Sequence, residues 1–200
     1  MKRRSIFAIG LTLLARCSVL PKREYQERRD WPLLPARPAP AVAVRPRGKV
    51  LLIRTMSAAP GLEARGLQSL LKDGSVNVDY YEQWAAPPAQ AMEEALRRWL
   101  ADSGLFAAVV APGSRVTPDL VLETELTALV ADLPAGSARA GMALVLLEPK
   151  GEISRVRLQR TETAEVRLEA TDPPALAAAL RHAATVLLGQ AETSLAGAIR

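Results

Sequence analysis

Cysteine, histidine and aromatic residues are scarce in this chain of 200 residues, which holds one Cys, one His and eight aromatics: three Trp, three Tyr and two Phe. One cysteine excludes an internal disulfide, and with a single histidine it leaves too few ligands for a protein-built zinc site. A basic surface is missing too, once the charge is placed. Four of the 26 Lys and Arg residues (Lys2, Arg3, Arg4 and Arg16) lie in the first 16 positions, which hold no acid. The remainder carries 22 against 21 acidic residues, a balance of +1. No stripe of cations is left to follow a phosphate backbone, so nucleic acid is set aside as a partner. No Gly-rich phosphate loop follows a strand, and "GLEARG" lacks the spacing that cradles a pyrophosphate. With 49% hydrophobic residues, this length supports one core with an appendage rather than two domains.

The appendage is the N-terminus. In "MKRRSIFAIGLTLLARC" a basic start precedes an apolar run over residues 5–14. The run matches a signal-peptide core in length and is too short for a membrane-spanning helix. Residues 1–16 are therefore expected to be a signal peptide. Leu14-Ala15-Arg16-Cys17 resembles a bacterial lipobox, which implies that Cys17 carries a diacylglycerol and an acyl chain such as palmitate and becomes the mature N-terminus. Ser18 in the next position implies an outer-membrane destination. No other cofactor is expected. Residues 17–47 are rich in proline and charge without sustained periodicity, which predicts a lipidated, extended, semi-stiff tether.

From residue 48 to residue 200 the pattern predicts a single domain of the α/β (α+β) class. Its form is a two-layer sandwich with a mixed, mostly antiparallel sheet of about six strands and two main helices. "KVLLIR" reads as a buried strand. "GLQSLL" and "VNVDYY" flank Asp73-Gly74, a hairpin signal. Met92, Leu96, Trp99 and Ser103 recur at helical spacing, with Glu93/Arg97 and Glu94/Arg98 as i,i+4 pairs on the other side. "LFAAVVA" and residues 120–130 are further strands, the second with Glu123, Glu125 and Thr127 on its wet face. "AGMALVLLE" is apolar at both parities, as expected of a strand covered on both faces by helices or by a partner. It turns at Pro149 to Glu152 into "ISRVRLQRTETAEVRLEA". Asp172 before Pro173 caps the last helix.

Chemistry has few candidates. His182 falls off the apolar stripe of the last helix and is expected to be solvated. Glu123 and Glu125 share a strand face, and a carboxylate pair could serve glycoside hydrolysis in an envelope hydrolase. The competing reading is a wet face on which they meet Arg155 and Arg157 across the sheet. The aromatics concentrate in "VDYYEQWAAPP" (residues 78–88). Alternation places Val78 and Tyr80 in the core beside Trp99, and leaves Tyr81 and Trp84 for an exposed partner-binding edge. Pro87 and Pro88 end the strand and open the helix.

Taken in order, "SAAPGLE", "VDYYEQWAAPP", "SGLFAAVV" and "PDLVLETELTALVADL" resemble the auxiliary lipoprotein component of Mce-type ABC transporters over residues 49–200. The family's tyrosine, tryptophan, small residue and proline before the helix correspond to Tyr80 or Tyr81, Trp84, Ala85 or Ala86, and Pro87 or Pro88. The resemblance implies a non-enzymatic, lipid-anchored protein on the periplasmic face of the outer membrane of a Gram-negative bacterium. It also implies an Mce-domain protein and its ABC transporter as partners, phospholipid or other hydrophobic cargo, and possible homo-oligomers. A cell-wall-binding structural lipoprotein is the remaining alternative.

Overall fold

The computed structural model describes residues 25–38, 40–43, 48–151 and 153–199. The signal segment and Cys17 lie outside them. The elements are β1 (Arg29–Trp31), β2 (Val50–Ile53), β3 (Ser57–Ala58), β4 (Gly66–Leu70), β5 (Val76–Trp84), α1 (Pro88–Asp102), β6 (Ala108–Val110), β7 (Leu120–Asp132), β8 (Ser137–Lys150), β9 (Ile153–Arg167) and α2 (Pro173–Ala198). Among the described residues all nine strands join one sheet, and the two helices cover one of its faces, as the two-layer α+β pattern predicts. Two strands have no counterpart in the sequence pattern, β1 and β3. With three and two residues they are too short to show a period of two.

β7 is the spine of this sheet. Along one edge it pairs antiparallel with β8 over nearly its full length, and β8 pairs likewise with β9. Along the other edge three short parallel partners follow end to end: β2, then β3, then β4. The sheet therefore forks, with β6 beyond β2 and with β5 and β1 beyond β4. Antiparallel pairing dominates by length, while the parallel ladders are brief. A register slip between Leu126 and Ala128 switches the inward parity of β7, from Leu120, Leu122 and Leu126 before it to Leu129 and Ala131 after it. It requires Gly141, because a Cβ there would stand 2.7 Å from the Thr127 hydroxyl.

The helices form where the periods place them. Asp172 accepts a hydrogen bond from the Ala175 amide at 3.1 Å and Pro173 opens α2, while Pro88 opens α1. Met92, Leu96 and Leu100 on α1 and Leu180, Ala184, Leu187 and Ala191 on α2 close over Leu122, Leu126, Met142, Leu144 and Leu146 of the sheet. At about 1.5–3 kcal/mol for each fully buried large aliphatic side chain, this cluster supplies the main driving force for folding. β8 is covered by α2 on one face only; Ala143, Val145 and Leu147 on the other stay half-buried, although both faces were expected to be covered.

The expected spacer over residues 17–47 is corrected over its described residues 29–38 and 40–43. β1 pairs with β5, Leu33 is buried in the core, and the Val42 amide donates to the Asp102 carbonyl at 2.8 Å. This segment is a strap bound across the domain. It lacks periodicity because its prolines leave few backbone donors, and single side chains, rather than a repeated face, hold it in place.

Candidate functional site

The aromatic segment occupies β5, and the strand divides in two. In its first half Val76, Val78 and Tyr80 are exposed, at 52%, 44% and 63%. In its second half Glu82 and Trp84 are buried, at 3% and 1%. The residues share one parity, so strict alternation would give them one environment. A bulge separates them. Gly66 of β4 pairs with Gln83 while Gln68 pairs with Val78, so four residues of β5 stand against one of β4. The Asp79 carboxylate holds the bulge by accepting from the amides of Tyr81 and Glu82, at 2.8 and 3.0 Å.

The bulge explains the corrections at this site. Val78 and Tyr80, expected in the core, face out, and Trp99 packs against Gly189 of α2 instead of beside them. Trp84, expected at an exposed partner-binding edge, is a core side chain. Tyr81 is half-buried and meets Tyr80 edge-on, with ring centroids 5.1 Å apart. The Arg28 guanidinium lies 4.5 Å from the centre of the Tyr80 ring, a cation–π contact.

Two carboxylates clamp the strap to the domain. Glu82 accepts from Arg29, at Nε 2.9 Å and also at the second guanidinium nitrogen, and from the Trp31 indole at 2.8 Å. Arg65 adds a bond to the Trp84 carbonyl and one to Asp30, each 2.8 Å. Farther along, Glu192 of α2 accepts from Arg37 at 3.1 and 2.9 Å and from the Trp99 indole at 2.7 Å, joining the strap to both helices. The Arg37 bond, with help from the Trp99 indole, holds the Glu192 carboxyl below the ordinary carboxylate range against the opposing effect of burial. Sequence reading missed Arg29, Trp31, Glu82, Arg37 and Glu192. The available signal was Trp31 itself, a large ring placed in a supposed spacer.

Glu123 pairs with Arg54 at 3.0 Å, and the expected cross-sheet arginines are elsewhere: Arg157 bonds to the Ala198 carbonyl and approaches Glu148 at 3.6 Å. Glu123 and Glu125 stand opposite Val145 and Ala143 on the uncovered face of the sheet. His182 is exposed, as expected. On α1 the expected Glu94/Arg98 pair forms at 3.8 Å, but the Glu93/Arg97 pair does not: Arg97 also turns to Glu94, and Glu93 accepts from the Met56 amide at 2.9 Å. Among the described residues no group of three or more His, Cys, Asp or Glu is placed to hold a metal ion. An apolar groove of about 550 Å³ lies beside the strap, lined by Leu33, Leu34, Ala85, Ala86 and Ala91 with Arg97 and Glu94 at its rim. Its lining contains no nucleophile with an adjacent base.

The arrangement presents a surface and a tied-down N-terminal strap, and sequence comparison gives the setting. A family model for the ABC-type transport auxiliary lipoprotein component matches residues 33–191. The chain belongs to this family. The match starts just after β1, so the Glu82 clamp reaches one strand beyond it. The auxiliary lipoprotein is similar in fold to a crystal structure of a Xanthomonas campestris protein of family DUF330. The TM-score there is 0.71, the identity 25%, and the coverage 84% of this chain and 96% of that one. An uncharacterized protein of known structure shares the fold at TM-score 0.64 and 13% identity, over 86% and 99% of the two chains. A hypothetical protein from Chlamydia trachomatis shares it at TM-score 0.51 and 9% identity, over 74% and 98%. No curated protein matches the chain. As a lipoprotein component of a transporter, the protein is assigned to the cell envelope in association with an ABC transporter. No helix among the described residues is long and apolar enough to cross a membrane.

Proposed function

We propose that this auxiliary lipoprotein is a non-enzymatic periplasmic subunit of an Mce-type ABC transport system. It links that system to the outer membrane for the movement of phospholipids or other hydrophobic compounds. The observation that carries the reading is the family match over residues 33–191. The lipobox-like Cys17, its acylation and an Mce-domain partner belong to the proposal. The partnered state of Glu123 favours this reading over an envelope hydrolase using Glu123 and Glu125.

The strap gives the anchor a length. Because the chain is bound to the domain from Arg29, a lipid on Cys17 would be joined to it by twelve residues, spanning at most about 43 Å. A free tether to residue 47 would span about 108 Å. The domain then works close to the membrane that holds it.

Fractionation tests the anchor. Wild type is expected in the outer-membrane fraction and labelled by palmitate, and Cys17→Ala soluble in the periplasm and unlabelled; equal solubility of the two sinks the anchoring part. Capture of an Mce-domain protein by the acylated chain, set against binding to peptidoglycan, separates a transport subunit from a cell-wall-binding lipoprotein.

A further inference from the structure

We propose that the outward half of β5, with Tyr25 and Arg28, is a membrane-contact surface that rests on the polar and upper acyl region of a phospholipid bilayer. The inference rests on the lipid-anchor reading and adds to it the face the domain turns to the lipid. Val76, Val78 and Tyr80 are three large side chains left exposed on one short strand segment, and Tyr25, at 91%, is the most exposed large hydrophobic side chain among the described residues. Aliphatic side chains with tyrosine rings and an adjacent cation form the chemistry of a membrane interface. The apolar parts enter the acyl boundary while hydroxyl and guanidinium groups stay among the head groups. Arg28, stacked over Tyr80, brings its charge to the same spot.

Position selects lipid over a protein as the occupant. The described part of the strap begins at Tyr25, three residues from Arg28 and its Tyr80 contact. Cys17 precedes Tyr25 by only eight residues, at most about 29 Å of chain. An acyl group fixed there holds this end of the domain against the bilayer, where even a weak patch acts at high effective concentration. Of the other exposed large aliphatics among the described residues, Leu34 and Val42 lie singly on the strap and Val116 in the loop before β7, while Ile153 and Val156 lie on β9, an edge strand on the far arm of the fork.

Cys17 is the sole cysteine, so in the acylated protein an introduced cysteine takes a spin label alone. Val78→Cys and, as control, Val156→Cys are labelled and reconstituted in vesicles of phosphatidylethanolamine and phosphatidylglycerol. At residue 78, collisions with oxygen should rise and collisions with a water-soluble nickel chelate should fall several-fold on vesicles, with no change at residue 156. Equal nickel exposure at both residues overturns the proposal. So does protection of residue 78 without a gain in oxygen collisions, which would mean that a protein covers it. Failure of the anchor reading shows separately, as a second label on Cys17. The Cys17→Ala, Val78→Cys chain added to the same vesicles then decides: oxygen gain at residue 78 upholds the contact surface, and no gain refutes it.

Discussion

The two halves of β5 have the same strand, the same parity and nearly the same apolar content, yet Tyr80 is 63% exposed and Trp84 1%. What differs is their neighbours. Beyond the bulge, Glu82 and Trp84 have β1 on one side and Arg65 on the other, so their polar atoms are satisfied and their rings enclosed. Before it, Val76 and Val78 pair only with β4, and their outer edge is open. A strand edge is buried when another segment is available to close it, and here that segment is the strap. The difference shows how one strand can serve the core at one end and a surface at the other.

Removing the enclosed ring should have the largest effect. Trp84→Ala opens a cavity in the core and is expected to cost about 3–5 kcal/mol. Urea unfolding followed by circular dichroism would show it. A cost near that of an exposed ring would abolish the contrast between the halves. Next comes Glu82→Ala, which strands the Trp31 indole and one side of Arg29. The expected loss is about 2–3 kcal/mol, with faster amide exchange over residues 29–34 while α2 keeps its protection. Uniform loss of protection would mean that the strap is part of the global folding unit.

Gly66→Ala attacks the bulge itself. A Cβ at residue 66 would stand 2.2 Å from the Asp79 carbonyl oxygen and 2.7 Å from a Val78 methyl, so backbone must move. About 2 kcal/mol is expected, since overpacking usually costs about 1–3 kcal/mol. In a crystal structure of the variant, the shift should centre on residues 78–82. An unchanged bulge would show that Asp79 alone maintains it.

These positions also mark where the sequence was readable. The core stripes of α1, α2 and β8, and of β7 up to its slip after Leu126, follow the periods 3.6 and 2, because a long element burying one face must repeat. The cap at Asp172, the helix start at Pro88 and the turn at Asp73-Gly74 are set by local backbone chemistry, and they stand where their residues placed them. Tyr80 and Trp84 were exchanged because a bulge is a contact between two strands. The residues that create it, Gly66 and Asp79, are 13 positions apart and carry no repeat. The strap was missed for a related reason. Glu82 and Glu192 grip Arg29 and Arg37 across 53 and 155 positions, and such single long-range pairs leave no trace in local pattern.

The second clamp sharpens the comparison through pH. Because Glu192 titrates below the ordinary carboxylate value when folded, its contribution is complete above the unfolded value of about 4.3 and is lost as pH falls through the lower folded value. Glu192→Gln should therefore cost about 1 kcal/mol at neutral pH and progressively less below about pH 4. Melting temperatures across that range would converge. A constant gap between the curves would place the effect of Glu192 in packing rather than charge.

The smallest stability effect belongs to the exposed ring. Tyr80→Ser removes a cation–π contact with Arg28 and an edge-on contact with Tyr81, both at the surface. Exposed cation–π pairs contribute about 0.5–1 kcal/mol, so the melting temperature should fall by no more than about 2–4 °C. The same substitution should weaken vesicle association of the Cys17→Ala chain while leaving the Glu82 clamp intact, as judged by unchanged exchange over residues 29–34. A loss approaching that of Trp84→Ala would show that Tyr80 is enclosed in solution, and the outward half of β5 would then be core like the rest of the strand.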